Sequence, residues 1–126
     1  MSENINTKVK TIVAIIEYPG SDYYHSFETL ASAMEFAKAG DTVTLLRDVA
    51  MSDTLTIDKV IVLDLGGKKL TTTNAWGGIY VKNGASIKNG TIVHASNTAA
   101  IKVWNAASFE DLVIDVQGKG DANKTI

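Results

Sequence analysis

The sequence predicts an all-β fold with one short capping α-helix: a parallel β-helix solenoid of about three coils, each of roughly 22 residues. Three observations lead there. Apolar runs beyond Gly40 are short and are broken by Gly, Asn and Asp. The stretch GIYVKNGASIKNGTIV, from Gly78, is matched by AIKVWNAASFEDLVID, from Ala100. One amphipathic helix precedes the repeats, where it can close an end of the stack.

The elements follow in order. Met1 to Thr7 are polar and read as loose chain. VKTIVAIIEY, rich in Val and Ile, reads as a strand from Lys8 to Glu17, ended by a turn at Pro19-Gly20. Its apolar residues Ile12, Val13 and Ile15 are candidate interface positions, because a leading strand can pair with another chain. Ser26 is placed as an N-cap. Phe27, Leu30, Met34 and Ala37 then recur at helical spacing and form the inward face of the capping helix. Gly40 is placed to end it, with Lys38 in the last turn. Divided by composition, residues 1–24 are an arm and strand, 25–41 the capping helix, 42–116 the coils and 117–126 a polar tail.

The repeat sets Ile79 over Ile101, Val81 over Val103, Ile87 over Phe109 and Ile92 over Ile114. Asn83 falls over Asn105, and Ala85-Ser86 over Ala107-Ser108. One coil earlier, the same step puts Ile57, Leu65 and Leu70 on Ile79, Ile87 and Ile92. These residues are the predicted solenoid core. A coil this short cannot bury its own interior. Coils stacked about 4.8 Å apart complete one another's hydrogen bonds and core. Asn and Gly suit the corners because they tolerate left-handed backbone angles, and Asn83, Asn89 and Asn105 are placed to stack there. The competing arrangement is a meander of antiparallel hairpins turning at Asn83-Gly84 and Asn89-Gly90. It would leave a strand of only about four residues between the two turns, against a usual five or six.

Composition excludes several functions. The 12 basic residues, of which Arg47 is the only arginine, face 14 acidic ones, so a nucleic-acid partner is not expected. There is no cysteine for a disulfide framework or thiolate chemistry. The first residues, MSENINTKVK, lack the apolar core of a signal peptide, and the run Ile12 to Ile16 is too short to span a bilayer, so no membrane is expected.

No catalytic constellation is legible. A carboxylate pair would need Asp64, Glu110, Asp111 or Asp115 together on one face. The 22-residue step carries Asp64 to Ser86 and Ser108, and Asp111 to Asn89, so no acidic ladder forms. These read as exposed corner residues. His25 and His94 are far apart in sequence, with no Cys beside them; His94 is expected near a corner in solvent, and neither metal nor cofactor is expected. Gly66-Gly67-Lys68 lacks the rest of a phosphate loop and reads as a turn. Tyr80 and Trp104 alternate out of phase with the core and should face outward, with Trp76 in the preceding loop. Together they make a candidate protein interface or sugar platform.

Two longer stretches carry a family likeness. FETLASAMEFAKAGDTVTLLRDV spans Phe27 to Val49, and TLTIDKVIVLDLGGKKL spans Thr54 to Leu70. They resemble the opening of right-handed parallel β-helix domains of the pectate-lyase-like superfamily, as in phage structural and fibre proteins and bacterial surface adhesins. The resemblance rests on Ala33, Ala37, Gly40, Asp41 and Leu45, then Leu63, Asp64, Leu65, Gly67 and Leu70. It implies a helix-then-strand cap on the solenoid. The superfamily includes lyases and glycoside hydrolases, and it is the lack of a carboxylate constellation that leads to the expectation of no enzymatic role. The resemblance further implies a homo-oligomer, a trimer by analogy with fibres, with a capsid or other virion protein as partner. A virion location follows, with a bacterial surface or extracellular one as the alternative.

Overall fold

The computed structural model describes residues 11–117. The loose stretch Met1 to Thr7, the start of the leading strand at Lys8 to Lys10, and the tail beyond Gln117 lie outside the described residues. The fold is a right-handed parallel β-solenoid of about three coils with one short helix.

Short strands and tight corners set its layout. β3 (Thr42–Leu45), β4 (Val49–Met51) and β5 (Leu55–Ile57) form the first coil. β6 (Val62–Asp64), β7 (Lys69–Thr72) and β8 (Ile79–Lys82) form the second. β9 (Ala85–His94) takes two sides of the third coil and β10 (Ile101–Trp104) the last side; β11 (Ala107–Val116) opens the next turn. Each strand pairs in parallel with its counterpart one coil away. Alternation along each strand sends every second side chain inward. The inward residues stack as columns: Val43, Leu63, Ile87, Phe109 on one side, and Val49, Leu70, Ile92, Ile114 on the next. On the third side run Leu55, Ile79, Ile101 and, beside them, Ile57, Val81, Val103.

The later coils keep the predicted register, and Leu70 lies on Ile92 as predicted, but Ile57 and Leu65 do not take their predicted places. Ile57 lies on Val81 rather than Ile79, and Leu55 takes the place assigned to it. Leu63, not Leu65, lies under Ile87, and Asp64 lies under Lys88 rather than Ser86. Unequal corners are the cause. The corner at residues 52–54 lengthens to 73–78 one coil on, and 58–61 shortens to 83–84. A uniform 22-residue step cannot follow both. Leu65 remains buried, at a corner, where its Cβ leaves no room for one on Gly90.

The two ends differ. At the first coil, β1 (Ala14–Glu17) pairs antiparallel with β3 and, on its other side, with β2 (Tyr24–Phe27). α1 (Leu30–Phe36) follows, with Leu30, Ala33 and Met34 buried in the common core and Ala37 just beyond them. The predicted helix start is corrected. Phe27 belongs to β2 and packs half-buried on the core, because pairing with β1 extends the chain through Ser26. Thr29 is the N-cap, its Oγ1 accepting from the Ser32 N–H at 3.1 Å. The helix stops at Phe36, before Gly40. Lys59 of the first coil, rather than Lys38, serves its end. Its Nζ donates to the carbonyls of Met34 (3.0 Å), Glu35 (3.0 Å) and Ala37 (2.7 Å).

At the other end, no described residue lies on the last turn. Val103 and Phe109 hold core columns yet are 50% and 42% exposed, and Ile101 and Ile114 are half-buried. By contrast Ile57, Leu65, Leu70, Ile79, Val81, Ile87 and Ile92 are buried.

Two outcomes test this layout. Ile87→Ala, in the middle of a column, should lower unfolding free energy by about 2–5 kcal/mol, and Ile114→Ala, on the open turn, by much less. Comparable losses in denaturant titrations would contradict the end asymmetry. Lys59→Met should cost about 1–3 kcal/mol, because three carbonyls lose a charged donor.

Candidate functional site

Three regions of side chains stand apart from the apolar core. The first is the outer face of the β5-β8-β10 sheet. There Thr56, Tyr80 and Lys102 form one row, and Lys82 pairs with Trp104 in the next. The Lys82 ammonium sits 5.0 Å from the Tyr80 ring centre. Lys102 Nζ donates to the Trp76 carbonyl at 2.7 Å and ties the 73–78 corner to this face. Trp76 is 81% exposed and Trp104 62%, whereas Tyr80 is half-buried beneath its lysine neighbour. The three predicted aromatics therefore gather at one side without stacking on one another. The ring contacts of the described residues lie elsewhere.

They lie at the closed end, which sequence reasoning missed. His25 and Phe27 alternate on β2, and Tyr23, just before the strand, keeps the same spacing. Tyr18 joins them from the other side of the hairpin and Phe36 from the helix. Tyr18 stacks on Tyr23 at 6.0 Å, His25 meets Tyr23 edge-on at 5.0 Å, and Phe36 lies 4.5 Å from His25 and 5.4 Å from Phe27. Beside this cluster is a cleft of about 450 Å³ under the β1-β2 turn, lined by Glu17, Tyr18, Ser21, Asp41, Thr42 and Thr44 among others. Desolvation, and then the negative charge of Asp41, raise the Tyr18 hydroxyl above the usual tyrosine range. The legible signal was the period-two run of rings through Tyr23, His25 and Phe27.

The leading strand is not a free edge. β1 is bonded on both sides within the chain. Val13 donates to the Phe27 carbonyl (2.9 Å) and accepts from the Leu46 N–H (2.8 Å), and Arg47 Nε reaches the Ile12 carbonyl (3.2 Å). Ile12, Val13 and Ile15 are half-buried. β1 therefore has no free edge for another strand, and beyond it β2 is the edge strand at this end of the sheet.

The third region is polar and inside. His94, expected in solvent, is fully buried, as is Thr72 one coil below. Thr72 Oγ1 and His94 Nδ1 are 2.8 Å apart, and His94 Nε2 and Thr98 Oγ1 2.9 Å. The Thr98 hydroxyl donates onward to the Asn74 carbonyl (3.3 Å), so it accepts from Nε2–H and leaves Nδ1 to accept from Thr72. Both ring nitrogens are satisfied by a neutral imidazole, and burial holds its pKa below the usual histidine value. A Cβ on Gly78 would stand 2.6 Å from Thr72 Oγ1 and 3.0 Å from His94 Nδ1, so glycine makes room for the pair.

The carboxylates do not converge. Asp64, Lys88 and Glu110 form one outward row of alternating charge. Asp64 Oδ1 accepts from the Gly66 N–H (2.8 Å) and from Asn89 Nδ2 (3.4 Å), which fixes it as a corner residue. Asp111 stands at a left-handed corner and Asp115 pairs with Val93. Among the described residues, no group of three or more His, Cys, Asp or Glu is placed to hold a metal ion, and no helix is long and apolar enough to cross a membrane.

No protein-family model matches the chain, nor does any curated protein or solved structure. What is shown is the parallel β-solenoid fold itself.

The buried histidine gives a pH prediction. Folding excludes a proton from His94, so its stabilising contribution is complete above about pH 6.5 and is lost as pH falls through that value toward the lower folded pKa. The difference in unfolding free energy between the natural chain and His94→Gln should be constant on the alkaline side and shift in favour of the variant on the acid side. A difference independent of pH between 5 and 8, a window chosen about the ordinary histidine pKa of roughly 6.5, would show that His94 is not buried neutral.

Proposed function

We propose that the chain is a non-enzymatic structural protein, a virion component such as a head fibre, decoration or tail-associated subunit. It assembles through its N-terminal region and its exposed solenoid surface, as a homo-oligomer and with a capsid or other virion protein. The observation that supports the reading is the apolar surface on the last described turn. Val103 and Phe109 belong to core columns and stand half in water. Surface of that kind marks interfaces. The outer face bearing Tyr80 and Trp104 adds aromatic area of the sort enriched at contacts.

A second reading, an adhesive module of a bacterial cell surface, is favoured by Trp76 and Trp104, whose rings lie open beside lysines.

Light scattering over a wide concentration range tests the first reading. An oligomer is expected, reduced toward monomer by Phe109→Ser with little loss of folding. A monomer at every concentration, with no binding to isolated capsid proteins, would overturn it. Glycan capture abolished by Trp104→Ala would favour the second reading instead.

A further inference from the structure

We propose that the cleft beneath the β1-β2 turn is a binding site for a neutral saccharide. The proposal is independent of the assembly reading, since the cleft lies at the closed end and away from Val103, Phe109 and Trp104.

The lining has the required chemistry. Volume comes first: about 450 Å³ is within the range of small-ligand sites and suits one or two sugar rings. The wall is Tyr18, held in orientation by stacking on Tyr23 at 6.0 Å and by the edge of His25 at 5.7 Å. An amphipathic ring of this kind packs on the C–H face of a sugar and offers a hydroxyl at its rim. A tyrosine hydroxyl, which ordinarily titrates at about 10, is protonated at neutral pH and can donate. The same lining supplies acceptors. Asp41 spends Oδ2 on the Lys38 N–H at 2.9 Å, and its other oxygen has no donor among the described residues. Glu17 supplies a second carboxylate, and Thr42 and Thr44 present hydroxyls from the outward side of β3. Carboxylates accepting from ligand hydroxyls make strong, directional bonds.

Charge selects the ligand. Two carboxylates and no lysine, arginine or histidine line the cleft, so phosphate, sulfate and uronate groups are repelled. A polyhydroxyl ligand without negative charge matches donors to acceptors and still offers an apolar face to Tyr18. The site is also preorganised. Its floor is β3, bonded on both sides, and the turn above it is closed by the Ser21 N–H to the Tyr18 carbonyl (3.1 Å) and the Tyr23 N–H to Ser21 Oγ (3.0 Å).

The test uses the full chain on an array of neutral and acidic oligosaccharides. Neutral hits are then titrated by two-dimensional amide NMR up to about 10 mM, since single sugar sites commonly sit near millimolar Kd. Expected are hits confined to neutral sugars, with shifts centred on residues 17–21 and 40–44. Tyr18→Ala and Asp41→Asn should each weaken binding about tenfold or more, which is about 1.4 kcal/mol. Trp104→Ala should leave it unchanged. Asp41→Asn keeps an acceptor for the Lys38 N–H, so it separates loss of ligand contact from loss of the turn. The proposal fails if no neutral sugar binds at that concentration, if binding survives both substitutions, or if only acidic sugars or amines shift the cleft resonances.

Discussion

Backbone hydrogen bonding between successive coils is the constraint on which everything else rests. A side of three or four residues has no stability alone, and a coil of three such sides encloses no core that its own side chains can fill. Stacking answers both needs at once. It pairs the backbone of each coil and brings four apolar side chains, such as Val43, Leu63, Ile87 and Phe109, into one column. The interior must therefore be apolar at every inward position, or be satisfied in pairs. The buried Thr72–His94 pair is the exception that follows the rule. The two residues sit in register one above the other, and each supplies what the other lacks.

The corners bear a cost that the columns offset. Asn83, Asn89, Asn105 and Asp111 all adopt positive φ, which disfavours most side chains by about 1–2 kcal/mol and Asn and Asp by less. They occur in stacked pairs, so the same bend is made at the same place in each coil. Asn105 Nδ2 donates to Asn83 Oδ1, and Asn83 Nδ2 to the Asp58 carbonyl, both at 3.3 Å. The ladder gives those backbone angles a side-chain reason. At Gly66 the reason is different. A Cβ there would stand 2.5 Å from the Leu45 carbonyl oxygen, so the second coil uses glycine where the later coils use Asn and Asp.

That contrast explains what the sequence made legible. The last two coils share corner lengths and corner residues, so Ile79 on Ile101 and Ile92 on Ile114 could be read from letters alone. Ile57 and Leu65 could not be placed, because apolar spacing survives a slip of two residues along a strand without change of face. The helix start was misread for a related reason. Phe27 fits both a helical spacing with Leu30 and an alternating one with His25, and only pairing to β1 decides between them. The sequence around His94 reads as a solvent-facing corner because its partners, Thr72 and Thr98, are recognisable only once the register is known. The cleft was illegible for a stronger reason: Tyr18 and Asp41 meet through an antiparallel pairing that the parallel repeat gives no hint of.

The stack is consequently directional. Its first coil ends in an antiparallel strand, a helix and a lysine that caps the helix, all drawn from the chain itself. At the other end of the described residues, Val103 and Phe109 are half-exposed members of the columns. Parallel pairing can be extended by any strand of matching register, whereas the antiparallel β1 closes that possibility on its side. Among the described strands, the parallel columns therefore continue past β3 only toward the β10-β11 end, while β3 itself is covered by β1. Surfaces at the closed end are free to carry recognition chemistry unrelated to the repeat. The aromatic cluster and cleft lie where the repeat pattern stops, and the residues that form them are released from the alternation that every coil position must obey.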